Sequence, residues 1–175
     1  MKKIVILLAV VAAMFTLAPK AAAQDNPFGA GNIKGDVYLG LPHTFSHLVL
    51  PPIGVAAEYG IIDFGGGDYG TLAAGGAFDF GLNHYYDYGD SKSLNTQFQV
   101  SGFAAYHYFI NPSFEVHAKA GLGLYHYGWS GYSWNGLGYY EFAGVSYYIS
   151  PSFAITAEAG YSALTYLHLG VSFVL

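Results

Sequence analysis

Ten side chains dominate whatever chemistry this chain can carry: Lys34, Asp36, Glu58, Asp79, Glu115, Lys119 and Glu158, with His107, His117 and His168. Where they cluster they are spaced by two, as in Lys34 and Asp36 or Glu115, His117 and Lys119. On an extended chain a spacing of two turns side chains to the same side, so these residues share one polar face. Acids, lysines and histidines gathered on one face can bind a metal, shuttle a proton or neutralise one another. Metal ligation is one reading of His107 with His117, and of His43 with His47 in a single loop; histidines hydrogen-bonded to Tyr, Ser or water are the other. There is no Cys, which excludes a thiol nucleophile, Cys-ligated zinc and disulfides. No phosphate loop, His-Glu-x-x-His, Gly-x-Ser-x-Gly or calcium loop occurs. A lipid-acting Ser, His and acid set would have to come from His126, Ser130 or Ser133, and Glu141, whose order and spacing match no such motif. The sequence therefore assigns no catalytic residue, no metal and no cofactor.

The elements that must position the ten residues are strands. Between Phe114 and Leu124 the even positions are Phe, Val, Ala, Ala, Leu and Leu, while the odd ones are Glu, His, Lys, Gly and Gly. Residues 53–60, 153–160 and 167–175 repeat this alternation. Strands are expected at 33–41, 52–60, 70–80, 96–109, 113–127, 138–149, 152–161 and 165–175. Tight turns fall at Asn111-Pro112 and Ser150-Pro151, and longer connections at 42–51, 81–95 and 128–137. Short and long connections on opposite ends are the habit of an up-and-down β-barrel, with both termini at the short-turn end.

Composition decides which face is wet. Charged residues are 10% and aromatics 18% of the 175 residues, with 24 Gly. That is too little charge for an aqueous surface, and beyond the leader no apolar run approaches the ~20 residues of a membrane helix. The apolar face is therefore expected to meet lipid, and the ten polar residues to fill a narrow lumen. On this parity Leu122→Arg should be costly and Gly123→Ser nearly neutral, while Lys119 and Glu158 should pair. Two Lys cannot balance five acids, so waters or protonated carboxyls are expected to complete the network. Tyr106, Tyr108, Tyr125, Tyr127, Trp129, Tyr139, Tyr140, Tyr147, Tyr148 and Tyr161 read as aromatic girdles at the two membrane surfaces.

Residues 1–23 read as a cleaved export signal: Lys2 and Lys3, an apolar stretch from Ile4 to Leu17, then Ala21-Ala22-Ala23. The remainder, 24–175, is one domain. It keeps three Lys and no Arg against 11 acidic residues, a net charge of −8 with His neutral, which disfavours nucleic acid as a partner.

The stretches Gly102 to Phe109 (GFAAYHYF), Phe114 to Gly123 (FEVHAKAGLG), Gly144 to Ile149 (GVSYYI), Ala157 to Tyr161 (AEAGY) and Leu169 to Leu175 (LGVSFVL) resemble the small OmpA-type outer-membrane β-barrel domains. The resemblance implies an all-β, transmembrane, up-and-down antiparallel barrel of about eight strands in the cell outer membrane. Its implied partners are outer-membrane lipid and the barrel-assembly machinery. The sequence departs from the pattern in ending on Leu175, where many such proteins end in Phe, and in Ser146, where an inward basic residue is frequent. The function expected is non-enzymatic: a structural or surface-interaction barrel meeting an extracellular glycan or protein through Phe45, Tyr85, Tyr86, Tyr88, Trp129, Tyr132 and Trp134. A narrow porin-like channel for small solutes, and after it a lipid-modifying barrel enzyme, are the alternatives.

Overall fold

The computed structural model describes residues 26–43, 48–67, 69–86, 92–129 and 132–175. The leader 1–23 lies outside the described residues. Eight strands follow in order: β1 (Ile33–Pro42), β2 (Leu48–Asp63), β3 (Thr71–Tyr86), β4 (Lys92–Asn111), β5 (Phe114–Trp129), β6 (Tyr132–Ser150), β7 (Phe153–Tyr161) and β8 (Thr165–Val174). Each pairs antiparallel with its chain neighbours, and β1 pairs with β8, so the sheet is a closed barrel. Closure leaves no edge within the membrane, where unpaired backbone groups cannot be hydrated. The ends of the barrel meet at Ile33 and Leu175, which exchange hydrogen bonds of 3.2 and 2.8 Å. The start of β1 and the end of β8 therefore lie at the end of the barrel that carries the turns at 64–67, 112–113 and 151–152.

Alternation holds around the wall. In β1 buried and exposed positions alternate, with Lys34, Asp36 and Tyr38 inside and Val37 and Leu39 more than half exposed. In β5, Leu122 and Leu124 face out while Glu115, His117, Lys119 and Gly123 face in. Phe114, expected with the outward set, is instead buried at the first position of its strand, next to the register shift between Phe109 and Asn111.

The main departure concerns the long connections. Most of 42–51, 81–95 and 128–137 is strand, leaving only 43–47, 87–91 and 130–131 as links. β3 and β4 stay in unbroken register from Thr71↔His107 to Tyr86↔Lys92, and β5 and β6 from Phe114↔Tyr147 to Trp129↔Tyr132. In these extensions Asn83, Asn95, Ser133 and Asn135 interrupt the apolar pattern, although Leu82 and Leu94 remain. The apolar alternation that marks a strand is thus broken while the ladder continues.

A second departure is the chain before β1. Residues 26–32 turn under the barrel, where Phe28 is fully buried with its ring 4.8 Å from that of His107. The segment is fastened by Gly31 N–H to Gly60 O (2.9 Å) and by Ala30 N–H to Asp63 Oδ1 (2.9 Å). Gly60 is needed here, because a Cβ would lie 2.1 Å from the Gly29 carbonyl oxygen.

Candidate functional site

Two places carry the polar and aromatic residues: the lumen, and the sheet that rises from its far end. All ten polar residues of the alternating face are buried in the lumen. They form two linked centres. Lys34 Nζ on β1 donates to Glu115 Oε1 at 2.8 Å and to Ser146 Oγ at 3.4 Å, and Tyr148 Oη donates to Glu115 Oε2 at 2.7 Å. The ring of Phe28 lies 5.9 Å from Lys34 Nζ, so the leading segment closes this centre from below. The second centre is Lys119, 2.9 Å from both Asp36 Oδ2 and Glu158 Oε1 and 3.8 Å from Glu58 Oε1. The expected Lys119 to Glu158 pair is thus formed, with Asp36 as an equal partner that the strand spacing did not single out.

Histidines join the centres. His107 lies between Glu115 Oε1 (Nδ1, 2.8 Å) and Glu58 Oε2 (Nε2, 3.2 Å), and His117 between Glu115 Oε1 and Glu158 Oε1, 2.9 Å from each. His168 meets Glu158 Oε2 at 3.0 Å and Thr165 Oγ1 at 2.7 Å, and its ring is stacked between Tyr38 and Phe142, each 4.0 Å away. Tyr38 Oη then donates to Asp79 Oδ1 at 2.9 Å. Ring nitrogens thus share Glu58, Glu115 and Glu158 with the two ammonium groups, while Tyr38 meets Asp79, for which no ion pair is found among the described residues.

The metal reading meets a specific obstacle. Ligand atoms of His107, Glu115 and His117 lie within 4.8 Å of one another, yet the Glu115 oxygen facing both rings already receives Lys34 Nζ at 2.8 Å. That oxygen is already engaged by an ammonium, which competes with a metal for it. Of the other pair, His43 Nε2 contacts Ser162 O at 2.9 Å, and His47 lies outside the described residues. The described members of the Ser, His and acid set do not assemble either: Ser133 and Glu141 are eight positions apart on one strand, about 26 Å at strand rise. His126 Nδ1 faces Asn135 Oδ1 at 2.7 Å, and Ser130 lies outside the described residues.

The aromatic girdle is partly reassigned. Tyr106, Tyr108, Tyr139, Tyr147 and Tyr161 are exposed on the outer wall. Tyr140 and Tyr148 are buried in the lumen, as strand geometry requires, since adjacent residues cannot both face lipid. Tyr106 Oη is hydrogen-bonded to the Tyr69 carbonyl at the short-turn end.

Beyond the barrel mouth β3 to β6 continue as a four-stranded sheet. β7 ends at Tyr161, which pairs with Glu141, so β6 from Tyr132 to Tyr140 rises above it. A row on the inner face runs Gly81, Gln97, Tyr127, Trp134, and the row beneath it Asp79, Gln99, Tyr125, Gly136. Tyr125 packs over Gly136, where a Cβ would meet its hydroxyl at 2.3 Å. The rings of Tyr125 and Trp134 are 5.2 Å apart at 69°, and those of Tyr127 and Trp134 6.3 Å apart at 19°. Gln99 and Tyr127 tie this sheet to the β7–β8 turn, Gln99 Oε1 accepting from Ala163 N at 2.8 Å and Tyr127 Oη donating to Ala163 O at 2.6 Å. Of the seven aromatic residues expected in the loops, Tyr132 and Trp134 are exposed on β6. Phe45 and Tyr88 lie outside the described residues; for Tyr85, Tyr86 and Trp129 only the backbone is described, at the ends of β3 and β5. Sequence reasoning missed Tyr38, Gln99 and Tyr127 as inward residues, although continuing the alternation by two from Asp36 and from Lys119 reaches two of them, and Tyr125, which that alternation puts on the Glu115 face, was also read as a girdle residue.

No protein-family model and no curated protein matches the chain. Solved structures do. A de novo designed transmembrane β-barrel aligns at TM-score 0.53 and 17% identity, covering 85% of this chain and 98% of that one. The outer membrane protein Ail of Yersinia pestis, in a phospholipid nanodisc, aligns at 0.51 and 14%, covering 83% and 99%. The N-terminal β-barrel domain of Pseudomonas aeruginosa OprF aligns at 0.50 and 18%, covering 85% and 100%. With its closed eight-stranded antiparallel wall, apolar outside and polar within, the chain has the transmembrane barrel fold of the small OmpA-type outer-membrane domains.

Proposed function

We propose that this is a non-enzymatic outer-membrane barrel, exported by the leader 1–23, that works as a surface-interaction module. The observation that carries the reading is the projecting sheet: β3 to β6 continue beyond the end of β7 and expose Tyr132 and Trp134, the latter packed against Tyr125 and Tyr127. A barrel serving only to fill the membrane has no use for ladders that outlast β7. Large, stiff aromatic side chains give contact area at low entropic cost. The lumen network is the plug that supports this platform. It fills the interior with ion pairs and argues against free passage of solutes, since eight strands leave room only for side chains.

Replacing 126–135 by an Asn-Gly turn joins Tyr125 to Gly136, which already face each other across β5 and β6, and such a turn suits a two-residue hairpin. The shortened barrel is expected to fold but to lose attachment in a whole-cell adhesion assay. Attachment equal to the parent overturns the reading. In planar bilayers the intact protein is expected to give no conductance steps, and regular steps would favour the narrow channel instead.

A further inference from the structure

The side of β6 left vacant above the end of β7 carries a cleft of about 360 Å³, lined by the rings of Tyr125, Tyr127, Trp134, Tyr139 and Tyr161, with Leu137 of β6 and Ala163 of the β7–β8 turn. We propose that this cleft binds uncharged saccharides displayed by a surface that the cell meets. The proposal rests on the surface-interaction reading and gives it a ligand class.

Three observations converge on a neutral sugar. A pyranose ring has an apolar face of C–H groups and a rim of hydroxyls, so it needs an aromatic plate beside hydrogen-bonding groups. Trp134 supplies the plate: it is 55% exposed, yet Tyr125 and Tyr127 fix its ring. The hydrogen-bonding groups come from the backbone. Tyr148 N–H donates to Ser113 O, toward β5, and the β5–β6 register is unbroken up to Trp129↔Tyr132. Even-numbered residues of β6 therefore direct their N–H and C=O groups at β5, and odd-numbered ones point to the other side. At Ser133, Asn135 and Leu137 that side has no strand among the described residues, because β7 has ended. One step further down, the Tyr139 carbonyl accepts from Gln99 Nε2 at 3.4 Å, which marks where the open edge begins.

Charge selects among saccharides. Two of the three lysines beyond the leader, Lys34 and Lys119, are buried in the lumen, and there is no Arg. Only Lys92 remains, in a stretch that also holds Asp87 and Asp90. Sulfate and carboxylate groups are held chiefly by Arg and Lys, and no Lys or Arg is among the described residues that line the cleft. An extended peptide could use the same backbone edge, but it has no need of a ring-walled cleft at the lower end of that edge.

The chain has Trp only at 129 and 134, so Trp129→Phe leaves Trp134 as the single indole reporter. This variant, folded in phospholipid nanodiscs, is titrated with cellohexaose, maltohexaose, sulfated cellohexaose and an alternating Thr-Val decapeptide. A neutral hexasaccharide is expected to shift Trp134 emission with a midpoint independent of salt. Tyr161→Ala should weaken that binding at least about tenfold, as for an aromatic hot spot, and Tyr106→Ala, at the opposite end, should leave it unchanged. Binding of the sulfated sugar alone, fading with salt, overturns the uncharged class, and binding of the peptide alone overturns the saccharide; both leave the surface-interaction reading standing. Loss of cellohexaose binding in discs made with lipopolysaccharide overturns the external source. If no probe binds and shortening the β5–β6 hairpin leaves cell attachment unchanged, the site and the broader reading fall together.

Discussion

Replacing Lys119 by Met tests whether the lumen is held by its ions. The ammonium lies 2.9 Å from Asp36 and from Glu158, 3.8 Å from Glu58, and 5.3 Å from the centre of the Phe103 ring. Met fills similar volume but leaves three carboxylates facing one another in a closed space. Removing one partner of a buried pair costs about 3–5 kcal/mol, most of it for the charge left behind. The partners differ, which gives the test its resolution. Glu158 also serves His117 and His168, so Glu158→Gln relieves the repulsion but strands two rings. Asp36 has Lys119 as its only ion-pair partner among the described residues. Lys119→Met with Asp36→Asn should therefore regain about 2 kcal/mol or more over Lys119→Met alone, and clearly more than Lys119→Met with Glu158→Gln. Urea unfolding and refolding in lipid vesicles measures the four stabilities. A Lys119→Met barrel within about 0.5 kcal/mol of the parent, the scatter of ordinary surface changes, would refute the reasoning, as would equal rescue by the two second substitutions.

Further outcomes follow from the wall and its ends. Leu122→Arg should cost about 2–4 kcal/mol in the same vesicle assay if the site is near the bilayer midplane. Gly123→Ser, neutral by alternation alone, should cost about 1–3 kcal/mol as an overpacked site, because its Cβ would stand 2.3 Å from Ser101 Oγ and 2.5 Å from Gln99 Nε2. Phe28→Ala should destabilise by about 3–5 kcal/mol if the leading segment is a true part of the core, and an unchanged urea midpoint would show that it merely rests there. Epitope tags in 87–91 and at 130–131 should be stained on intact cells, and a tag at 112–113 only after permeabilisation; the reverse would invert the barrel.

What could be read in advance was whatever repeats every two residues. Lys34, Glu115, Lys119 and Leu122 were assigned to the correct faces because polar and apolar side chains alternate there without interruption. The same rule, carried through, would have moved Tyr140 and Tyr148 inside, but aromatic clustering near strand ends drew them to the girdle. The projecting parts of β3 to β6 were hidden for another reason. Outside the bilayer both faces of a strand are hydrated, so Asn83, Asn95, Ser133 and Asn135 look like loop residues while sitting in a ladder. Phe28 was unreadable because nothing local to Pro27, Phe28 and Gly29 signals burial; its partner His107 is remote in the chain. Asp36 as the second ligand of Lys119 needed the barrel's closure, which joins strands at opposite ends of the sequence.

That closure bears on how the protein enters a membrane. Lys34 and Asp36 lie on the first strand, and their partners Glu115 and Lys119 are 81 and 83 residues further on. While the sheet is open, Lys34 can reach only Glu58 on the neighbouring strand, at 4.0 Å, and Asp36 and Lys119 are kept apart, so charges remain that hydrocarbon tolerates poorly. An assembling chain must therefore curl before its middle crosses the bilayer, with the ionic interior acting as a kinetic gate. Contacts so distant in sequence already make such a fold slow, and the gate adds to the delay. Insertion into vesicles should accelerate in thinner bilayers and in the Lys119→Met/Asp36→Asn barrel, which brings two fewer charges to the barrier even though the finished barrel is no more stable than the parent.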